Sequence, residues 1–105
     1  MTEREKTAMP PPDPPEDAML LRLYIAGSAP NSLRALANLE AIRQEYLGDR
    51  CRIEVIDIFQ EPLRALDDGI LLTPTLAKVT PPPVVKIVGD LRERVKVLQA
   101  LGVQA

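Results

Sequence analysis

The chain has 105 residues and a formal net charge of −2, so it suits one domain and lacks the basic surface that sequence-independent binding to nucleic acid requires. It contains no histidine, which removes the commonest general base and the commonest metal ligand, so we expect neither an enzyme nor a bound metal or cofactor. With the single cysteine, Cys51, and no apolar run of the ~20 residues that a membrane span needs, the composition favours the reducing cytoplasm and excludes a membrane protein.

The chain opens on a proline-rich stretch. Residues 9–17, MPPPDPPED, hold five prolines and three acids and almost nothing to bury. Such a composition is typical of an extended or disordered segment. We therefore predict a disordered tail over residues 1–18 and a single domain over residues 19–105.

The first half of the domain predicts a strand, a helix and a second strand. Residues 19–26 form a short apolar run, and a helix capped by Asn31 or Ser32 follows through about Leu47. Residues 52–59 are so apolar that we predict a second strand buried on both faces. Short links between these elements make the two strands parallel.

The second half alternates short apolar runs with prolines and glycines. A helical pattern covers residues 61–72, and strands are predicted near residues 76–79 and 84–88. Asp90 with Glu93 forms a D-x-x-E pattern that can cap a last helix. The residues of that helix with apolar side chains at helical spacing are Leu91, Val95, Leu98 and Leu101.

The resulting order, βαβ-α-ββ-α, predicts an α/β fold of the thioredoxin type. That fold holds a cis peptide at a proline before its third strand, here Pro74, and X-Pro bonds are those for which the cis form costs least.

A thioredoxin-like order raises the question of redox chemistry. The turn that would carry a redox motif, residues 27–32, contains no cysteine, and Cys51 has no partner cysteine. The acids Asp57, Asp67 and Asp68 show no metal-ligand spacing, and the adjacent pair Asp67-Asp68 at a helix end is expected to be solvated. What remains is a binding module, with three basic residues expected on turns and at element ends: Arg34, Lys78 and Lys86.

Five segments give the chain a family resemblance. LRLYIAG at residues 21–27, followed by PNSLRAL at 30–36, resembles the opening LKLYVAG-x-x-PNSVRAL of KaiB proteins. LLTPTLAKV at 71–79 resembles their ILATPTLAKV. PPPV at 81–84 with IVGDL at 87–91 resembles their PPPV and IIGDL. The chain is identified as a member of the KaiB family over about residues 20–101.

The resemblance implies a function through binding. KaiB proteins bind the N-terminal ATPase ring of KaiC, a hexameric autokinase, and regulate a circadian or timing oscillator. Their KaiC-bound form is thioredoxin-like, whereas a resting tetramer repacks the second half of the chain. By resemblance, Arg34, Lys78 and Lys86 are expected to face acidic groups on KaiC, and self-association into a dimer or tetramer is left open.

The sequence offers a reason for such bistability and departs from cyanobacterial members in ways that bear on it. Pro74, Gly89 and Asp90 interrupt short apolar runs of the second half that suit either a helix or a strand. Two packings of the chain that differ by a few kcal/mol are therefore consistent with the sequence. Ala100 and Gly102 stand where cyanobacterial members carry glycine and aspartate, and alanine is favoured over glycine in a helix by roughly 0.8–1.0 kcal/mol. Ala100 is therefore expected to bias the chain toward the thioredoxin-like form.

Further departures are the proline-rich leader, the missing acidic tail and Met19 in place of an aromatic residue. They indicate a KaiB from outside the three-protein clock and argue against a KaiA partner. The alternative is a KaiB-like paralogue, or a thioredoxin-like sensor module, that serves stress signalling without redox activity.

Overall fold

The structure of the protein is a computed structural model that describes residues 18–103. The predicted disordered tail, residues 1–18, therefore lies outside the described residues apart from Ala18. The strands and helices in chain order are β1 (Met19–Ile25), α1 (Pro30–Ile42), β2 (Cys51–Asp57), α2 (Pro62–Asp67), β3 (Thr75–Thr80), β4 (Val85–Val88) and α3 (Arg94–Leu101). After α1 the chain continues through a wider helical turn and a short 3-10 turn. The order matches the predicted βαβ-α-ββ-α.

One four-stranded sheet, in the order β2-β1-β3-β4, forms the centre of the molecule. β1 pairs with β2 in parallel, as the short βαβ links predict, and β3 pairs with β1 and β4 in the antiparallel sense. The Thr73–Pro74 peptide before β3 is cis, which was expected of this fold.

The two faces of the sheet are unequal. Leu21, Leu23 and Ile25 alternate along β1 and point to the face that α1 and α3 cover, where they form the main core. Tyr24 and Ile56 point to the opposite face, the α2 face, where a smaller buried cluster lies. The larger part of the apolar burial therefore lies under α1 and α3.

The prediction that β2 is buried on both faces is wrong. β2 lies at an edge of the sheet, with β1 as its only neighbour in that sheet. Ile56 is its one buried residue, and Val55 is 47% exposed. Apolar content gave the strand correctly, but the position of a strand in the sheet depends on long-range pairing that the strand's own residues do not encode.

α1 begins without the predicted cap. Pro30 occupies the first turn, where its fixed φ suits a helix and its missing N–H costs nothing. Neither Asn31 nor Ser32 caps the helix. The buried hydroxyl of Ser32 instead accepts the N–H of Ala26 at 3.0 Å and so ties the helix start to the end of β1.

α3 also begins later than the D-x-x-E pattern predicts. The carboxylate of Asp90 accepts the N–H of Arg92 at 3.2 Å in a turn, and the helix starts at Arg94. Because the start shifts, Val95 is 59% exposed, and the buried face of α3 consists of Val97, Leu98 and Leu101.

The two valines of α3 provide a test of this orientation. Val97 is 2% exposed and Val95 is 59% exposed on the same helix. We expect Val97→Ala to lower the free energy of unfolding by about 1–3 kcal/mol. Val95→Ala, the matched control, should change it by less than ~0.5 kcal/mol. Urea unfolding followed by circular dichroism measures both, and equal effects would contradict the orientation of α3.

Candidate partner-binding site

A cleft between α1 and the loop that precedes α3 carries two of the predicted site residues, Arg34 and Asp90. Its volume is about 510 Å³. A neighbouring depression of about 430 Å³ continues it toward α3. The first cavity is lined by Arg34, Ala37, Asn38, Asp90 and Arg92.

Three basic side chains lie around this cleft, and two of them are paired with acids: Arg92 with Asp90 and Lys96 with Glu93, each at 3.3 Å. Arg34 is exposed on α1, where its guanidinium donates to the Asn31 side-chain oxygen at 2.6 Å. Arg92 is exposed on the opposite side of the cleft. Lys96 lines the neighbouring depression. The cleft can therefore receive an acidic group of a partner.

The loop that forms the second side of the cleft is held by backbone contacts. The Asn38 amide donates to the carbonyl of Asp90 at 2.8 Å. The N–H of Gly89 donates to the carbonyl of Pro74 at 2.9 Å, with Gly89 at φ 125°. Leu91 adopts φ 67°, a left-handed conformation that costs a non-glycine residue roughly 1–2 kcal/mol. Three of the residues predicted to matter for conformation, Pro74, Gly89 and Asp90, thus meet at one place.

The other two predicted conformational residues lie at the far end of α3. Ala100 is half-buried in its last turn. Gly102 follows the helix and has a φ of 77°. Its N–H donates to the carbonyl of Gln99, and the N–H of Val103 donates to the carbonyl of Leu98. This pair of bonds is a Schellman motif, for which a left-handed glycine is the usual residue.

We expected Lys78 on a turn or at the end of a helix or strand, but the structure places it elsewhere. It is in the middle of β3, on the face covered by α1 and α3, and only 6% exposed. Its ammonium donates to the carbonyl of Pro81 at 2.8 Å, which satisfies part of its hydrogen-bonding capacity inside the protein. Lys78 therefore offers little surface to a partner in this arrangement.

Lys86 lies on the other face of the sheet. Lys86 of β4 stands opposite Ala77 of β3 in the antiparallel pair, and Ala77 belongs to the buried cluster on the α2 face. Its ammonium donates to the carbonyl of Asp68 at 2.9 Å. Arg34 stands on α1, over the opposite face. The structure thus does not bring Arg34, Lys78 and Lys86 together on one surface.

A polar network on the α2 face was not predicted. The Tyr24 hydroxyl donates to Asp68 at 2.6 Å, while Arg22 and Arg64 donate to the Glu54 carboxylate at 2.9 and 3.1 Å. The hydrogen bond from Arg22 lowers the pKa of Glu54. We had expected Asp68 to be solvated, but its carboxylate is engaged by the Tyr24 hydroxyl. The sequence did contain a signal for this network: Arg22 and Tyr24 are polar residues two positions apart, so they must share a face of β1.

Asp57 is also structural. One carboxylate oxygen accepts the N–H of Gly27 at 3.1 Å and the N–H of Phe59 at 3.0 Å. It thereby joins the turn after β1 to the loop after β2. This contact is possible because the parallel pairing of the two strands brings both loops to the same end of the sheet.

Cys51 is half-buried at the start of β2. Burial raises the pKa of its thiol, which disfavours the reactive thiolate. Among residues 18–103, no three His, Cys, Asp or Glu side chains come together as a metal site would require. In the same part of the chain no helix combines the length and apolar character needed to cross a membrane.

Comparison with known proteins gives a consistent family and fold. The KaiB domain family matches residues 22–103. The circadian clock oscillator protein KaiB of Microcystis aeruginosa is 52% identical over 82 residues, which cover 78% of this chain and 79% of that protein.

Solved structures support the fold. The N-terminal domain of Synechococcus elongatus SasA is similar with a TM-score of 0.68 at 21% identity, covering 89% of this chain and 91% of that one. Mitochondrial thioredoxin 3 of Saccharomyces cerevisiae has a TM-score of 0.67 at 16% identity, with 83% and 80% covered. The fold is thioredoxin-like, as the element order predicted.

The Tyr24–Asp68 contact predicts a pH dependence at the alkaline end. Burial, with the hydrogen bond to Asp68 adding to it, raises the pKa of Tyr24 to about 12. Because the unfolded value is near 10, the stability contributed by the neutral phenol is complete below about pH 10 and lost as the pH rises through about 12. We expect the parent protein to lose more unfolding free energy over this range than Tyr24→Phe does. Urea unfolding at a series of pH values measures the difference, and equal losses would contradict it.

Proposed function

The chain belongs to the KaiB family, and from that premise we propose that it binds the N-terminal ATPase ring of a KaiC-type hexameric autokinase and modulates its phosphorylation and ATPase cycle. The observation that carries the proposal is the family match over nearly the whole described domain. It is supported by a relative at 52% identity that is named a circadian clock oscillator protein.

We propose the cleft between α1 and the loop before α3 as the main contact with KaiC. Arg34 and Arg92 on its rim and Lys96 beside it are the basic groups there. Such charges steer a partner with acidic groups and raise the association rate more than they lower the dissociation rate. Lys86, on the opposite face of the sheet, is proposed as a secondary contact that a partner reaches around the β4 edge.

The proposed action is regulatory and not catalytic. The chain has no histidine, and the turn after β1 holds no cysteine where redox thioredoxins need a pair. The single cysteine, Cys51, agrees with action in the reducing cytoplasm. Met19, Ala100 and Gly102, which depart from cyanobacterial sequences, favour a partnership with KaiC in which KaiA takes no part.

We further propose that the thioredoxin-like arrangement is the partner-binding state and that a resting dimer or tetramer repacks the second half. The loop before α3 supports this for two reasons. Leu91 has a left-handed backbone conformation, and the loop is joined to Pro74 by a backbone hydrogen bond from Gly89. Ala100 and Gly102 favour the helix that this state requires, through helix propensity and the left-handed helix end.

Charge reversal tests the KaiC surface. We expect Arg34→Glu to slow association with the host's KaiC, in the presence of nucleotide, on the order of tenfold. Lys86→Glu should have a smaller effect. Biolayer interferometry gives both rates.

Arg50→Glu is the matched control, because Arg50 is exposed in the turn beyond the other end of α1. A loss of equal size in this variant would show that net charge alone governs the rate. An unchanged rate in Arg34→Glu would place the KaiC surface elsewhere. If the parent protein forms no KaiC complex in any nucleotide state, the proposal fails and the stress-signalling paralogue replaces it.

Ala100→Gly tests the conformational bias. The lost helix propensity of roughly 0.8–1.0 kcal/mol should lower the ratio of the thioredoxin-like form to its alternative about four- to fivefold. Two-dimensional NMR peak volumes report the populations.

Ala41→Gly, in α1, is the control because the first half of the chain is expected to be common to both forms. A similar population shift in the two variants, or no second form in either, contradicts the bias.

A further inference from the structure

α2 presents both of its leucines to solvent, whereas its arginine, Arg64, faces the sheet. Leu63 and Leu66 are 73% and 71% exposed. The side chains of Arg64 and Asp68, which lie between and after them, are 32% and 26% exposed and contact the sheet. Only Ala65 is a buried apolar residue of this helix. This orientation is the reverse of the usual surface helix, whose apolar stripe faces the core.

The helix is fixed in this orientation. Arg64 donates to Glu54 of β2 at 3.1 Å, and Asp68 accepts the hydroxyl of Tyr24 at 2.6 Å. Rolling α2 to bury its leucines would break both contacts. The leucines are therefore presented in a held geometry, which lowers the entropy cost of binding a partner.

A third exposed apolar side chain precedes the helix. Residues three apart are neighbours on a helix, so Leu63 and Leu66 form one ridge. Phe59, in the loop that leads into α2, is 72% exposed. Its ring lies beside Gly27, where an added Cβ would stand 3.2 Å from the ring. Neighbouring exposed leucines of this kind mark interaction sites, whereas single exposed residues do not.

The charges beside the ridge define the chemistry of its partner. Asp67 is exposed and lies four residues after Leu63, on the same face of α2, and Glu61 is exposed where the helix begins. Two cations lie nearby. Arg64 is 3.1 Å from Glu54 and 3.6 Å from Glu61, so one guanidinium is shared between two carboxylates, and Lys86 donates to the backbone beyond the end of the helix. The rim of the ridge is therefore acidic.

We propose that Leu63 and Leu66, with Phe59 beside them, form a docking surface for a partner protein that presents an apolar helix flanked by lysine or arginine. The apolar side chains bury the ridge, and the basic flanks meet Glu61 and Asp67. This surface goes beyond the main KaiC contact proposed above, because it is acidic-rimmed and lies across the sheet from the basic cleft at Arg34; it shares its face of the sheet with Lys86, the proposed secondary contact.

Other occupants fit this rim less well. In an antiparallel contact between two copies of α2, Glu61 of one copy approaches Asp67 of the other, and like charges at that distance repel. The proline-rich segment of the chain's own N-terminus, residues 9–17, carries three acids and no basic residue, so it is repelled in the same way.

The test uses the full chain and a synthetic amphipathic peptide of leucine and lysine as probe, with a leucine–glutamate peptide of the same pattern as control. We expect the lysine peptide to bind and to shift NMR signals mainly at residues 59–67. Leu63→Gln with Leu66→Gln should weaken binding at least tenfold. Leu33→Gln, at an exposed leucine of α1 that is 51% exposed, should change it less than twofold.

Four results would overturn the proposal: signal shifts elsewhere on the domain, equal binding by the double variant, equal binding of the glutamate peptide, or a dimer of the free chain that the double variant abolishes. KaiC binding by the same variant separates the two surfaces. Loss of KaiC binding in the double variant would show that the ridge is part of the KaiC contact, and it would also overturn the inference. Failure of the parent protein to bind KaiC would leave the peptide result unaffected.

Discussion

The alternation of side chains along β1 divides the molecule into two unlike halves. β1 is paired on both sides, so its side chains can point only to one face or the other. Leu21, Leu23 and Ile25 give one face an aliphatic surface that α1 and α3 bury. Arg22 and Tyr24 give the other face polar groups, and α2 is attached there through charges and a hydroxyl. The orientation of every helix follows from this single strand.

The two halves differ in the kind of energy that holds them. Fully buried leucines contribute about 1.5–3 kcal/mol each. Partly exposed ion pairs such as Arg22–Glu54 contribute about 0–1 kcal/mol. The α2 face is therefore held more weakly than the helical core, and the loop before α3 adds a left-handed residue at Leu91.

The same division separates the two surfaces proposed for binding. The basic cleft at Arg34 belongs to α1 and stands over the aliphatic face. The leucine ridge of α2 is acidic at its rim and stands over the polar face. Surfaces of opposite charge on opposite sides of one sheet suit two different partners, and neither surface needs a catalytic group. Asp57 contributes to both sides indirectly, because it fixes the turn that precedes α1 and the loop that precedes α2.

The sequence by itself determined the order of elements, the parallel pairing of β1 with β2, the family and the thioredoxin-like fold, because hydrophobic period, short links and motifs are local properties of the chain. It also singled out Pro74, Gly89 and Asp90, which the structure brings to one loop contact. Only the tertiary structure decided that β2 is an edge strand, that Lys78 is buried, and that Asp68 accepts a hydroxyl. It alone decided that α2 turns its leucines outward and that Arg34 and Lys86 stand on opposite faces. These outcomes depend on register and on which helix covers which face, and both arise from contacts between residues far apart in the chain.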